Sequence, residues 1–410
     1  MPALPRPVVL LEDGRGRAGR ARIAWGARQR YRLEWTAGAI GRLDWLGDLP
    51  PDRRLYGLIA YDLGLPPRAR RADPALRQPL ADLFEPEHEL VADLGTGTLE
   101  SGSLAVIREA AAAAGPAGAA GVAEVAGEGP GASLVPPLLD RSFDEPGFRR
   151  AVDRIKQHIV AGDVYQVNLT VAERFAPVVP AWTVYRHLRR INPSPWMGFA
   201  DFGDWQVVSG SPELLVELRR DGAIRTRPIA GTRKKTGEPG RDAAMSAELA
   251  LDAKEQAEHR MLVDLARNDV GRVARFGSVR VAEREVIEEY SHVYHLVSEV
   301  VGRLRPDVTP GHAVAALFPG GTITGTPKIR AMEVIADLEP VARGAYTGGL
   351  GWLGKGAGQL NIVIRSAVFS DGVACVQAGA GIVWDSDAAR EWRESLRKGA
   401  AMRLALGVPA

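Results

Sequence analysis

Hydrophobic and polar positions along the 410 residues fall into short blocks whose periods set the expected elements. Over residues 1–100 the apolar runs are brief. Val8-Val9-Leu10-Leu11 and Leu55-Tyr56-Gly57-Leu58-Ile59-Ala60-Tyr61 read as strands. Arg22-Ile23-Ala24-Trp25 and Arg30-Tyr31-Arg32-Leu33 alternate polar with apolar, as a strand edge does. From Gly102 to Ser133 the pattern gives way to alanine and glycine, with consecutive alanines at 110–114, and reads as a linker. It separates an N-terminal region, 1–135, from a second region, 140–408. There Asp144 before Glu145-Pro146 marks a helix start, Val152, Ile155 and Ile159 recur at helical spacing, and Gly162 stops the helix. Val164–Leu169, Gln206–Val208 and Glu213–Leu218 read as strands. Residues 240–268, without glycine or proline after Gly240, read as one helix. Gly348–Leu353, Gln359–Phe369 and Gly372–Gln377 read as strands, and a last helix spans 387–406. Strands grouped without regular βα alternation predict an α+β layered sandwich, not a doubly wound sheet.

Composition narrows the class. At 46% hydrophobic the chain can bury a large core, and 52 Lys+Arg against 50 Asp+Glu leaves a net charge of +2. That balance argues against nucleic acid as the main partner. The basic N-terminal stretch (Arg15, Arg17, Arg20, Arg22, Arg28, Arg30, Arg32) fits a solvated face. The one cysteine, Cys375, excludes a disulfide framework within the chain, which suits a reducing cytoplasm, and its buried-strand context makes it a small hydrophobe. No apolar run approaches the ~20 residues of a membrane span. The first residues lack the pattern of a signal or transit peptide.

Two sets of residues carry candidate chemistry. Glu255 and Glu258 lie three apart on the expected 240–268 helix, so their carboxylates share a face. Glu391 and Glu394 repeat the spacing on the last helix, with Lys398 one turn on. Oxygen-only ligands of this kind suit Mg²⁺. The same spacing is also the usual make-up of a solvated helix face, and alone it does not choose. The second set is small residues among hydroxyls and cations: Pro228–Arg233, Phe318–Lys328 and Gln377–Ile382. Such segments let backbone N–H groups approach an anion, or simply form tight turns. Gly320 to Gly325 has the spacing of a P-loop opening, but Thr326-Pro327 stands where Lys-Ser/Thr is needed, so a nucleotide site is not expected.

In order along the chain, GDVYQVNLT, SPELL, PIAGTR, KEQAEHRMLVDLARND, YSHVYHLVSEV, FPGGTITGTPKIRAMEVI, RGAYTGG, LNIVIRSA, QAGAGIVWDS and EWRESLRK resemble the chorismate-utilising enzymes. That family includes anthranilate synthase component I, aminodeoxychorismate synthase component I, isochorismate synthase and salicylate synthase. The resemblance runs through residues 145–406. It implies an antiparallel α/β/β/α sandwich with chorismate held by the C-terminal half. It also implies that Glu258 and Glu394, with Glu255 and Glu391, hold Mg²⁺ against the ring carboxylate of chorismate, near Lys398. Arg365 and Tyr346 would grip the enolpyruvyl carboxylate beside Gly379-Ala380-Gly381. Glu213 would be the general acid for the departing C4 hydroxyl, a role that needs a desolvated carboxyl. His295 would lie against the ring, and Thr232 and Thr322 would contact substrate oxygens.

Gln166 stands where the water-adding members carry a basic lysine, so the resemblance favours an amine nucleophile. Tyr165–Leu169, Phe318–Gly321 and Tyr61-Asp62-Leu63-Gly64 resemble the aminodeoxychorismate synthase branch, which would make 4-amino-4-deoxychorismate for folate. Ala230 is the anthranilate-synthase-like residue, and that branch, making anthranilate and pyruvate, is the alternative. Asn192–Met197 resembles the tryptophan-feedback segment of anthranilate synthase, and Leu10–Asp13 partly matches its N-terminal partner; tryptophan is thus a candidate ligand. With no glutaminase nucleophile in view, ammonia is expected from a separate glutamine amidotransferase subunit. A reading of another class is a non-catalytic binder of chorismate or tryptophan.

Overall fold

A computed structural model describes residues 4–15, 18–33, 46, 49–50, 52–65, 78–96, 98–102, 135–290 and 292–409. The expected 102–133 linker, save for Gly102, and Arg17 of the basic stretch lie outside the described residues.

Two antiparallel sheets form the centre. Strands are numbered in chain order. The first sheet runs β17 (Gly325–Thr326), β9 (Gln166–Phe175), β21 (Val373–Ile382), β20 (Ser366–Ser370), β11 (Trp205–Ser211). It continues β10 (Trp196–Asp201), β1 (Val8–Arg15), β2 (Ala18–Trp25), β6 (His88–Asp93), β7 (Leu99–Ser101), with β8 (Leu138–Arg141) also on β9. The second runs β14 (Ile229–Lys234), β16 (Val293–Arg303), β13 (Ala223–Arg227), β12 (Leu214–Leu218), β19 (Ala357–Ile362). It ends β18 (Gly349–Gly354), β4 (Arg54–Ile59), β5 (Ala81–Glu85), β3 (Gln29–Leu33), with β15 (Arg280–Glu289) on β16. N-terminal strands thus share ladders with later ones: Leu10 lies opposite Phe199, and Gly57 opposite Gly351.

The inner faces meet in a core of Val9, Tyr56, Leu58, Phe84, Trp205, Val207 and Leu350. Helices cover the outer faces. Against the first sheet pack α1 (Glu145–Val160), α2 (Ala181–Ile191), α6 (Lys328–Leu338) and α7 (Ala388–Leu406). Against the second pack α3 (Pro239–Leu251), α4 (Ala253–Gly271) and α5 (Pro310–Leu317). The result is the expected α/β/β/α sandwich. No helix among the described residues is long and apolar enough to cross a membrane.

Local sequence explains most boundaries. Asp144 caps α1 by accepting the Gly147 N–H at 2.7 Å, and Phe148, Val152 and Ile155 bury its inner face. Two expectations need correction. Residues 240–268 form two helices, because Asp252 leaves helical geometry (φ −69°, ψ 104°) and caps α4 through the Lys254 and Glu255 N–H groups. Gln359–Phe369 is two strands in different sheets: the chain crosses from β19 to β20 through Arg365, which adopts a left-handed φ of 50°. Cys375 is buried in β21, as its neighbours suggested.

Asp144→Ala, which leaves the first-turn donors of α1 without their cap, is expected to lower unfolding free energy by about 1 kcal/mol in urea titrations; no change would remove the cap from the account of α1.

Candidate active site

The chain passes between the sheets at two neighbouring points, and a candidate site residue sits at each. Glu213 lies between β11 and β12, and Arg365 between β19 and β20. The crossings are tied together: the Ile362 N–H donates to the Glu213 carbonyl at 3.1 Å, and the Gly210 N–H donates to the Arg365 carbonyl at 3.1 Å.

Glu213 is 5% exposed. Burial raises its pKa to about 7, against the lowering effect of hydrogen bonds from the Thr322 hydroxyl and the Ile229 N–H and of the Arg365 charge. The Thr322 hydroxyl donates to Glu213 Oε1 at 2.7 Å. The guanidinium of Arg365 reaches His295 Nε2 at 3.2 Å. Arginine only donates, so that nitrogen is the acceptor and Nδ1 carries the ring proton. Nδ1 then faces the Thr232 hydroxyl at 3.0 Å and the Gly231 carbonyl at 3.3 Å. This pairing follows from β14 lying on β16 with Thr232 opposite His295. Burial, with Arg365 next in effect, holds the imidazole pKa down at about 3, so the ring is neutral at physiological pH.

The acids arrive on α4 and α7. Trp392, Ser395, Gly399, Met402 and Leu406 bury one face of α7, which leaves Glu391, Glu394 and Lys398 on the adjoining face. Burial raises the pKa of Glu258, Lys254 works against it, and Glu255 and Glu391 raise it further, so carboxylates of the two helices feel one another. Lys398 keeps 47% of its side chain exposed and lies 3.9 Å from Glu394. Protein packed about its ammonium still lowers its pKa, and Glu394 and Glu391 pull it back up. Each acid has a cationic neighbour or a hydroxyl: Lys254 lies 3.8 Å from Glu258, Arg233 donates to Glu255 at 3.2 Å, Arg397 donates to Glu394, and Ser386 bonds Glu391. Among the described residues no three acids, histidines or cysteines stand close enough together to hold a metal as the side chains lie. The donor set itself is right for Mg²⁺: oxygens only, on two rigid helices, with mutual repulsion that a divalent cation would relieve.

Gln166 and the glycines form another wall. Gly379, Ala380 and Gly381 of β21 lie opposite Thr170, Leu169 and Asn168 of β9. A side chain at Gly381 would collide with the Gln166 amide nitrogen, so glycine there makes room for Gln166. Gln166 is buried, and its Oε1 has no hydrogen-bond donor. β9 reaches Glu213 through Asn168, whose amide donates to the Thr322 carbonyl at 2.7 Å. Tyr346 is buried, with its charge environment set by Arg343 and Glu339.

Sequence reasoning missed Tyr290, whose ring meets that of His295 edge-on at 5.3 Å and which lies within electrostatic reach of Arg365. It opens the YSHVYH segment, and only its place beside a histidine could have singled it out. Asn168 and Arg343 were missed because their bonds toward the site run to backbone carbonyls, those of Thr322, Ile323 and Asn168. The two tryptophan-feedback-like segments do come together, with Glu12 opposite Met197 and Asp13 opposite Trp196. Glu12 is taken by the Tyr185 hydroxyl at 2.5 Å and by Arg189 at 2.8 Å. The cavity beside them is about 20 Å³, room for a water and not for an indole as the side chains stand.

Glu213 makes folding pH-dependent with a definite sign. Its folded pKa lies above the ordinary 4.5, so the stability it contributes is complete below that value and is lost as pH rises through about 7. Glu213→Gln is therefore expected to lose less unfolding free energy than the parent between about pH 5 and about pH 8 in urea titrations. Equal losses would mean that Glu213 is not desolvated. Asp62, also raised to about 7 by burial, is present in both proteins and cancels.

Comparison with known proteins identifies the family and the fold. The sequence profile of the family described as chorismate binding enzyme matches residues 16–404. Aminodeoxychorismate synthase component 1 of Bacillus subtilis (strain 168) is 49% identical over 265 residues, 64% of this chain and 56% of that protein. Anthranilate synthase component 1 of Cereibacter sphaeroides is 47% identical over 267 residues, 64% of this chain and 53% of that protein. The match thus spans about half the length of these curated relatives. The solved structure of anthranilate synthase component I from Streptococcus pneumoniae TIGR4 superposes with a TM-score of 0.77 at 31% identity, covering 94% of this chain and 92% of that one. By that profile match and by the superposition of its α/β/β/α sandwich, the chain belongs to the chorismate-binding enzyme family.

Proposed function

We propose that the chain is a chorismate-aminating enzyme of the cytoplasm, an aminodeoxychorismate synthase component I that takes ammonia from a separate glutamine amidotransferase. The observation that carries this reading is Glu213: a buried carboxyl with a pKa of about 7, held by Thr322 and facing Arg365. Near neutral pH it has a proton to give, as a general acid for a departing ring hydroxyl requires. The C4–O bond breaks and the oxygen leaves as water with that proton. The nitrogen of ammonia forms the new bond and gives up one proton, which restores the acid.

Gln166 supports amination over hydration. Its amide cannot take a proton from water, and its partnerless Oε1 suits an N–H donor such as ammonia. Among the described residues Arg365 bonds to the neutral His295 and has no carboxylate at ion-pair distance, so its guanidinium suits an anionic arm of chorismate; Tyr346 and the Gly379–Gly381 backbone would share that arm, as the resemblance implies. His295 lies against the ring, and Thr232 and Thr322 face substrate oxygens. Glu255, Glu258, Glu391 and Glu394 would hold Mg²⁺, beside Lys398. When bound, the ion would neutralise those carboxylates and hold the substrate's ring carboxylate. A non-catalytic binder has no use for an acid kept protonated at a cost in stability. Anthranilate synthase component I is the second reading, favoured by Ala230, the anthranilate-synthase-like residue of the resemblance.

Purified chain given chorismate, Mg²⁺ and ammonium is expected to yield a non-fluorescent amino-chorismate that a lyase converts to 4-aminobenzoate, and to use glutamine only with the amidotransferase added. Fluorescent anthranilate with pyruvate would move it to the second branch, and no turnover would favour the binder. Glu258→Ala is expected to weaken Mg²⁺ binding in calorimetry at least tenfold, on the order of one lost charged ligand. Unchanged binding would remove Glu258 from the metal site.

A further inference from the structure

The Tyr61-Asp62-Leu63-Gly64 segment grips both chain segments that support the candidate reacting groups. It forms one turn of 3₁₀ helix after β4. The Tyr61 N–H donates to the Gly344 carbonyl at 2.9 Å, and Asp62 Oδ2 accepts the Gly344 N–H at 2.7 Å. The Tyr61 ring lies under the Arg343 guanidinium, 4.6 Å from its centre. Gly64 faces Pro319 so closely that a methyl group there would stand 2.7 Å from the proline Cδ.

Arg343 continues the grip toward the site. It is 1% exposed and paired with Glu339 through Nε at 2.9 Å and Nη2 at 2.7 Å. Its remaining donors reach the Ile323 carbonyl at 2.7 Å and the Asn168 carbonyl at 3.0 Å. Asn168 in turn holds the Thr322 carbonyl, and the Thr322 hydroxyl holds Glu213. Gly320 and Gly321 have no side chains to fix the start of this loop, so the position of Thr322 owes much to what holds the loop's carbonyls and to Pro319, besides the packing of Ile323 in the core. A buried ion pair such as Arg343–Glu339 returns little net stability for the desolvation it costs, which leaves orientation as its plainer use.

We propose that the Tyr61–Gly64 turn and Arg343 are a positioning clamp that sets the Gly320–Thr324 loop, and through it the Thr322 hydroxyl, against Glu213. Arg343 is a positioning residue: it acts through Ile323, Asn168 and Thr322, and the N-terminal region contributes to the site by this route. The role rests on Glu213 being the acid of the proposed reaction.

The test uses the full chain with Gly64→Ala, Arg343→Lys, Thr322→Val and the two double variants with Thr322→Val. Gly64→Ala leaves every charged group in place, so it keeps the test open if Arg343→Lys fails to fold. Two quantities are read: kcat and KM for chorismate with ammonium, and the titration of the Glu213 carboxyl by ¹³C NMR, assigned by its loss in Glu213→Gln. Gly64→Ala and Arg343→Lys are each expected to lower kcat about tenfold, the scale of a sub-ångström misplacement, and to leave KM within about twofold. Both should raise the Glu213 pKa as Thr322→Val does, and neither should add to it in the Thr322→Val background. Variants that melt earlier while the carboxyl titrates as in the parent, or that add in full to Thr322→Val, would overturn the clamp. The titration needs no turnover. A chain that made no aminated product would refute the proposed reaction and still report on the clamp.

Discussion

A carboxyl group taken out of water is the constraint around which the site is arranged. Glu213 is placed where the chain passes from one sheet to the other, where little solvent reaches it and neighbouring segments supply its partners. A buried acid left alone would stay neutral and inert. One given strong ion pairs would ionise and hold no proton near neutral pH. Glu213 lies between these limits, with a hydroxyl, one backbone N–H and a more distant guanidinium. The nearby imidazole does not compete, because its own burial keeps it neutral.

The electrostatics are graded away from that point. Arg365 brings positive charge beside Glu213 and the imidazole, Lys398 adds to it at the imidazole, and Glu258, Glu391 and Glu394 of α4 and α7 feel Lys398 in turn. The result is a cationic middle with an acidic border, and that border becomes attractive to an anion only when a cation lies on it. In the present arrangement Lys254, Arg233 and Arg397 take that part.

Much of this was legible in the sequence, and the failures have physical causes. The α1 cap, the acids three apart on one helix and the layered α+β class follow from local pattern. The break at Asp252 was hidden because aspartate is an ordinary helix-surface residue until its side chain turns back on the next amides. The division of residues 359–369 was hidden because both halves are apolar and strand-like, and the arginine between them gives no hint of positive φ. Long-range pairing was the least readable: Asn168 with Thr322, and Arg343 with Ile323 and Asn168, join residues 20 to 175 positions apart.

Arg365 carries a consequence for how such a protein can change. A non-glycine residue in the left-handed region costs about 1–2 kcal/mol, so glycine at this position would relax the backbone. The same replacement would delete the guanidinium that faces His295 and Glu213. A selection for thermal robustness alone would therefore favour a change here that a selection for turnover would reject. Stability and activity pull on one codon in opposite directions.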